Sequence, residues 1–165
     1  MTTVRNQMNE LGFYTLPGAP KSPRDLIHEV ESAEELGIGA CFISERFNIK
    51  EAVTLSGAVG AVSKTVGIAT AATNHNIRHP LVTASYATTM HRLTEGRFCL
   101  GIGRGIGPLF AAYGMSKITT AQMEDFANVM KRLFKGLTSG SLLGFFNYKL
   151  FTESQETFSP SKKRI

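Results

Sequence analysis

With 165 residues, of which 42% are hydrophobic and 19% charged, the chain is long enough for one domain with a buried core and too apolar for a disordered one. Its formal charge of +5 comes from scattered basic residues, with Lys162, Lys163 and Arg164 the one basic cluster, so no cationic stripe interleaved with aromatics points to nucleic acid. No apolar run reaches the ~20 residues of a membrane span, and the amino terminus lacks the apolar centre of a signal peptide, so a cytoplasmic protein without a membrane partner is expected.

The first element, LGFYTL (11–16), is short and apolar and leads into PGAPK, which reads as a strand and its loop. Ser22, Pro23 and Asp25 then mark a helix start. Serine caps, proline suits the first helical position, and Asp25 stands where a capping box places an acid. Leu26, Ile27, Val30, Ala33 and Leu36 follow at helical spacing, and Gly37 supplies the stop. GACFIS (39–44) is the second strand, ERFN a turn, and residues 51–63 a helix rich in small residues. VGIATAA (66–72) is the third strand, followed by the loop TNHNIRH and a helix from Pro80 to Leu93. FCLGI (98–102) is the fourth, followed by a long glycine-bearing loop and a helix from Thr120 to Lys135. In that last helix Met123, Phe126, Ala127, Met130, Leu133 and Phe134 form one apolar stripe, behind a Thr119/Gln122 capping box. Cys41 and Cys99 lie inside apolar runs and read as small core residues, and no Cys/His spacing suggests a metal site.

Four β–α units in succession, with strands apolar on both faces, require a parallel sheet covered by helices and joined by right-handed crossovers. An open doubly wound sheet or part of a (β/α)8 barrel satisfies this. A complete TIM barrel takes ~250 residues, so on the barrel alternative residues 1–136 of this α/β chain hold about half of one, the N-terminal half. Residues 137–165 break the rhythm and read as an atypical tail, solvated in part or foreign to the barrel through a shifted reading frame.

The stretch FCLGIGRGIGPLF (98–110) places glycine at every second position, which raises the question of a phosphate cradle. The dinucleotide motif G-x-G-x-x-G fails in every register, because its third slot falls on Ile106, Pro108 or Phe110. No Gly-Lys-Ser/Thr ending completes a P-loop either. The polar residues are more informative. In parallel α/β folds chemistry gathers at the carboxyl ends of the strands. Those ends carry Glu45 and Arg46 after the second strand, Thr73, Asn74 and His75 after the third, and Arg104 after the fourth. Gly103 and Gly105 around Arg104 would let a flat ligand approach the backbone while the guanidinium meets an anionic or carbonyl group. Plainer roles exist for each: solvated loop for Glu45 and Arg46, turn residue for Asn74, loop histidine for His75. His28 and His91 read as surface or packing residues, and His79 as shaping the start of the helix at Pro80.

LGFYTLPG, GACFISERFN, IATAATNHNIRHPLVTA, HRLTEGRFCLGIGRG and ITTAQMEDF, in that order, resemble the bacterial luciferase-like monooxygenase superfamily, especially its deazaflavin (coenzyme F420)-dependent branch. The resemblance spans about residues 10–136, and HRLTEGRFCLGIGRG is its most specific phrase. It implies a TIM barrel that binds reduced coenzyme F420, or alternatively FMN, across the strand ends. It also implies a non-prolyl cis peptide within Ala71-Ala72-Thr73, against the ring. By the same carry-over Ala71, Ala72, Thr73, Asn74, Gly103, Arg104 and Gly105 bind the cofactor, while Glu45, Arg46 and His75 are catalytic, His75 as proton donor because imidazole titrates near neutrality. Arg46 stands where luciferases carry histidine, which favours hydride transfer to a small organic substrate over light emission. A homodimer through the second and third helices is implied too, and the run Ser56-Gly57-Ala58-Val59-Gly60-Ala61 is compatible with close helix contact. Two functions are then expected to compete: a truncated oxidoreductase or monooxygenase of doubtful activity, and a non-catalytic half-barrel or interaction module.

Overall fold

The computed structural model describes residues 8–138, so most of the expected tail at 137–165 lies outside the described residues. In chain order the elements are β1 (Met8–Tyr14), α1 (Asp25–Leu36), β2 (Ile38–Ile43), α2 (Ala52–Val62), β3 (Gly67–Thr70), β4 (Thr73–Asn74), a 3-10 turn (His75–Ile77), α3 (Pro80–Leu93), β5 (Phe98–Cys99), β6 (Ile102–Gly103), α4 (Gly107–Ala112) and α5 (Thr120–Thr138). They fall into two compact units: residues 8–73 with 89–102, and residues 74–88 with 103–138.

The first unit is built on a parallel four-stranded sheet in the order β1-β2-β3-β5. Phe13, Cys41, Ile68 and Phe98 stand in register across it and share one face. That face is the core side: Cys41 and Ile68 are fully buried, and Leu26, Val30 and Ala33 of α1 and Leu55 and Val59 of α2 are buried as well. Each such aliphatic side chain stabilises the fold by about 1.5–3 kcal/mol. The opposite face carries the row Tyr14, Phe42, Ala69 and Cys99, and there Tyr14 is 41% and Phe42 37% exposed. Single carboxylates fasten this unit between elements. Glu34 Oε1 accepts the backbone N–H groups of Lys64, Thr65 and Val66 at 2.7, 2.6 and 3.0 Å, which ties α1 to the strand entering β3.

In the second unit order comes from side-chain packing. Phe126 and Met130 of α5 are buried, and the His75 and Phe126 rings lie 5.0 Å apart at an interplanar angle of 33°. The Thr119/Gln122 capping box forms as expected: Thr119 N–H donates to Gln122 Oε1 at 2.9 Å and Gln122 N–H to Thr119 Oγ1 at 3.2 Å.

The four expected β–α units are all present, and α3 has the expected bounds. The expected serine cap forms only in part: Ser22 N–H donates to Asp25 Oδ2 at 3.2 Å, but Ser22 Oγ accepts Arg24 N–H at 3.1 Å, and α1 begins at Asp25 with Arg24 as an N-cap that makes no side-chain bond. Other details differ. β1 starts at Met8 and ends at Tyr14: Thr15 N–H still donates to Phe42 C=O at 3.1 Å, but Leu16 N–H turns to Glu29 and the Thr15 and Leu16 carbonyls turn to Lys50. The third strand stops at Thr70, and the fourth breaks into β5 and β6. The break has a local cause: the Thr70 hydroxyl accepts Gly101 N–H and donates to Gly101 C=O, both at 2.8 Å, in place of the ladder. The expected glycine-bearing loop contains α4, which the glycines and Pro108 masked as a turn. Leu36 is exposed, and Cys99 is not a core residue but lies exposed on the open sheet face; neither cysteine is in a disulfide. Within the small-residue run, Ser56, Val59 and Gly60 are already used inside the chain. A Cβ at Gly60 would stand 3.1 Å from Met90 and from Thr94.

Candidate functional site

In the first unit the carboxyl ends of β1, β2 and β3 bring together Tyr14, Ser44, Glu45, Ala71, Ala72 and Thr73. Ala71 N–H donates to Ile43 C=O at 2.7 Å and Glu45 N–H to Ala72 C=O at 3.1 Å, so the exits of β2 and β3 are laced together. Glu45 Oε2 accepts the Thr73 hydroxyl at 2.7 Å and Oε1 accepts Ala52 N–H at 3.1 Å, so this carboxylate joins the β3 exit to the start of α2. The peptide bond Ala71-Ala72 is cis, at the place the resemblance implied. Ala71 is exposed beside it, and its side chain is a methyl group. Arg46 Nη1 donates to Gly18 C=O at 2.7 Å, which pins the loop after β1.

The second unit holds the other expected residues. Asn74 is buried, and its Nδ2 donates to Gly103 C=O at 2.9 Å. His75 is 3% exposed against Phe126, and burial lowers its pKa, which favours the neutral imidazole. Arg104 is exposed, with Nη1 donating to Thr120 Oγ1 at 3.1 Å. The alternating glycines have separate reasons. A Cβ at Gly101 would sit 2.0 Å from Thr70 C=O, while Gly105 adopts φ 69° with its Cβ position 2.4 Å from the Phe110 ring. His79 shapes the start of α3 as expected, its Nδ1 accepting Leu81 N–H at 3.2 Å. His28 is on the surface beside Glu31.

Lys50 was not legible as a site residue. It is 5% exposed, donates from Nζ to Thr15 C=O at 2.5 Å and to Leu16 C=O at 3.1 Å, and lies 4.0 Å from the centre of the Tyr14 ring. Its partners are more than thirty residues away in sequence, so no local pattern marks it. Among the described residues no group of three or more His, Cys, Asp or Glu could hold a metal ion, and no helix is long and apolar enough to cross a membrane.

A sequence model of the luciferase-like monooxygenase family matches residues 8–160. The chain belongs to this family. A relative within reach is the 5,10-methylenetetrahydromethanopterin reductase of Methanopyrus kandleri, 26% identical over 93 residues, which are 56% of this chain and 27% of that protein. The solved structure of the coenzyme F420-dependent tetrahydromethanopterin reductase of the same organism superposes with a TM-score of 0.63 at 21% identity, covering 76% of this chain and 39% of that one. The oxygenating constituent of 3,6-diketocamphane monooxygenase from Pseudomonas putida, a type II Baeyer–Villiger monooxygenase in complex with FMN, gives a TM-score of 0.58 at 22% identity over 74% of this chain and 36% of that one. The fold is therefore part of the TIM barrel of luciferase-like enzymes. The chain spans well under half the length of these relatives.

Proposed function

We propose that this chain carries the N-terminal, cofactor-facing part of a luciferase-like oxidoreductase that uses a reduced deazaflavin of the F420 type, or FMN, to transform a small organic substrate. The observation that supports this best is the laced corner at the ends of β2 and β3. There Glu45 and Thr73 hold the backbone around Ala71 and Ala72, and no side chain larger than methyl stands on the exposed Ala71. A planar ring needs such a flat, small-residue approach to backbone, so the residues present fit the group. When bound, the cofactor would supply hydride or activate oxygen. In this reading Ala71, Ala72 and Thr73 of the first unit support the ring; within the second unit, Asn74, Gly103 and Gly105 are further candidate cofactor contacts, and Arg104 is a candidate cation for an anionic or carbonyl group. Glu45 and Arg46 position the corner through their bonds to Thr73, Ala52 and Gly18. His75 serves as a fixed neutral imidazole.

Titration of the purified chain with reduced F420 and with FMN tests the reading. Quenching of ring fluorescence at micromolar concentrations is expected, and silence with both cofactors overturns it. A second reading has its own support. The open face of the sheet exposes Tyr14 and Phe42, which suits a half-barrel that associates with a partner without catalysis. A homodimer through α2 and α3 belongs to the same proposal, with Val82 and Leu93 exposed on α3. Sedimentation of a chain that binds no cofactor but self-associates would favour this second reading.

A further inference from the structure

The turn that follows β1 is built more heavily than a connecting loop requires. Leu16 is buried and held at φ 48°, a backbone region that a non-glycine residue adopts only when its surroundings impose it. Two side chains impose it. Glu29 Oε2 accepts Leu16 N–H at 2.9 Å and also accepts the Thr15 hydroxyl, while Lys50 Nζ bonds the carbonyls of Thr15 and Leu16. The same ammonium lies over the Tyr14 ring, and the Tyr14 hydroxyl is hydrogen-bonded to the Ser44 hydroxyl. Burying an ammonium is costly, and a staple for two carbonyls does not need a charge. A phenol that must carry negative charge transiently does. Tyr14 itself keeps 41% of its surface accessible, at the carboxyl end of β1 and one strand from the β2–β3 corner.

We propose that Tyr14 is a catalytic acid–base residue of this protein, with Ser44 and Lys50 as its positioning residues, and that its substrate class is an organic carbonyl compound. This rests on the cofactor reading above. When bound, the reduced deazaflavin or flavin would supply a hydride for the carbonyl carbon, and the C=O π pair would move to oxygen. The Tyr14 O–H bond breaks as its proton passes to that oxygen, giving an alcohol. The two electrons that enter the substrate would be those of the hydride, and the proton the oxidised ring would release to solvent balances the one that Tyr14 takes back. The phenolate left on Tyr14, held by Lys50 and the Ser44 hydroxyl, regains a proton from water. The groups facing the hydroxyl agree with this role. Burial alone would raise the Tyr14 pKa, but the Ser44 bond, the Lys50 bond and charge and the Arg46 charge together bring it below the ordinary tyrosine value. Glu29, the nearby acid on α1, is engaged by Thr15 and Leu16, and Cys41 behind the sheet is kept protonated by burial, its pKa pushed up to about 12.

The decisive measurement is an ultraviolet phenolate titration of the full 165-residue chain, which has four tyrosines, minus that of Tyr14→Phe. Tyr14 is expected to titrate below the other tyrosines. Lys50→Met and Ser44→Ala should move it upward, and Lys50→Arg should restore it; circular dichroism checks that each variant is folded. An ordinary midpoint, or one that Lys50→Met leaves in place, overturns the proposal and makes Lys50 a staple only. With cofactor and a carbonyl acceptor present, Tyr14→Phe should lower kcat by roughly 10²–10⁴-fold while cofactor affinity stays the same. An unchanged kcat overturns the catalytic role. Failure of the wild-type chain to bind either cofactor sinks the cofactor reading and the reduction step with it, whereas a low, Lys50-dependent Tyr14 midpoint in that same chain still supports the acid–base assignment.

Discussion

The two units of this protein are held by different forces. Residues 8–73 with 89–102 rest on a parallel backbone ladder whose strand ends are stitched by single carboxylates: Glu29 at the β1 turn, Glu34 at the entry to β3, Glu45 at the exit of β3. Residues 74–88 with 103–138 rest on rings and aliphatic side chains, with Phe126 and Met130 of α5 buried and His75 against Phe126. The ladder spreads its stability over many weak bonds that tolerate change one at a time. Packing concentrates stability in a few large side chains, where one deletion leaves a cavity. Among these groups Glu34 in the first unit and His75 in the second each add a dependence on pH, because the folded chain lowers the pKa of both and so resists their protonation.

The largest test of this contrast is Phe126→Ala, expected to cost about 3–5 kcal/mol through lost burial and a cavity. Hydrogen-exchange protection should fall in residues 74–88 and 103–138 and persist in the β1-β2-β3-β5 ladder; uniform loss across the chain would show that the two units unfold as one. Gly101→Ala attacks the ladder side. Its Cβ would stand 2.0 Å from Thr70 C=O, so the β3–β5 edge must shift, at a cost of about 1–3 kcal/mol read from the denaturation midpoint. An unshifted midpoint would mean the edge is already slack.

Glu34 gives the pH arm. Burial would raise its pKa, but hydrogen bonds from Thr65, Val66 and Lys64 outweigh this and hold it below the ordinary carboxylate value. Its contribution is therefore present above the ordinary value near pH 4.5 and is lost as pH falls through the lower folded value. Glu34→Gln should lower stability at neutral pH by roughly 1–2 kcal/mol and flatten the acid limb of the stability profile. A parallel acid limb in wild type and variant would remove Glu34 as its source. The smallest effect on stability is expected for the exposed Arg104→Ala, which should leave the melting temperature in place while weakening F420 or FMN binding by roughly 10-fold or more. A lowered melting temperature with unchanged binding would make Arg104 a structural partner of Thr120 alone.

Much of this architecture was readable in one dimension because it follows from local periodicity. The α3 bounds, the Thr119/Gln122 capping box and the buried Phe126 and Met130 of the α5 stripe all follow from residues within a few positions of each other. The cis peptide at Ala71-Ala72 was reached through resemblance to a family and not through composition. What local pattern misjudged were places where a distant group competes for the backbone. Thr70 takes Gly101 out of the ladder and splits the fourth strand, and Glu29 with Lys50 ends β1 two residues early.

By itself, then, the order of apolar runs, caps and breaks determined that this chain forms successive parallel β–α units, since those signals act over one or two turns of chain. Only the tertiary structure decided that Glu45 spends both oxygens on Thr73 and Ala52, that His75 lies buried under Phe126, and that Lys50 meets Tyr14. Those pairings join residues roughly seven to fifty positions apart, and a side chain's charge, burial and reach are set by what the fold places beside it.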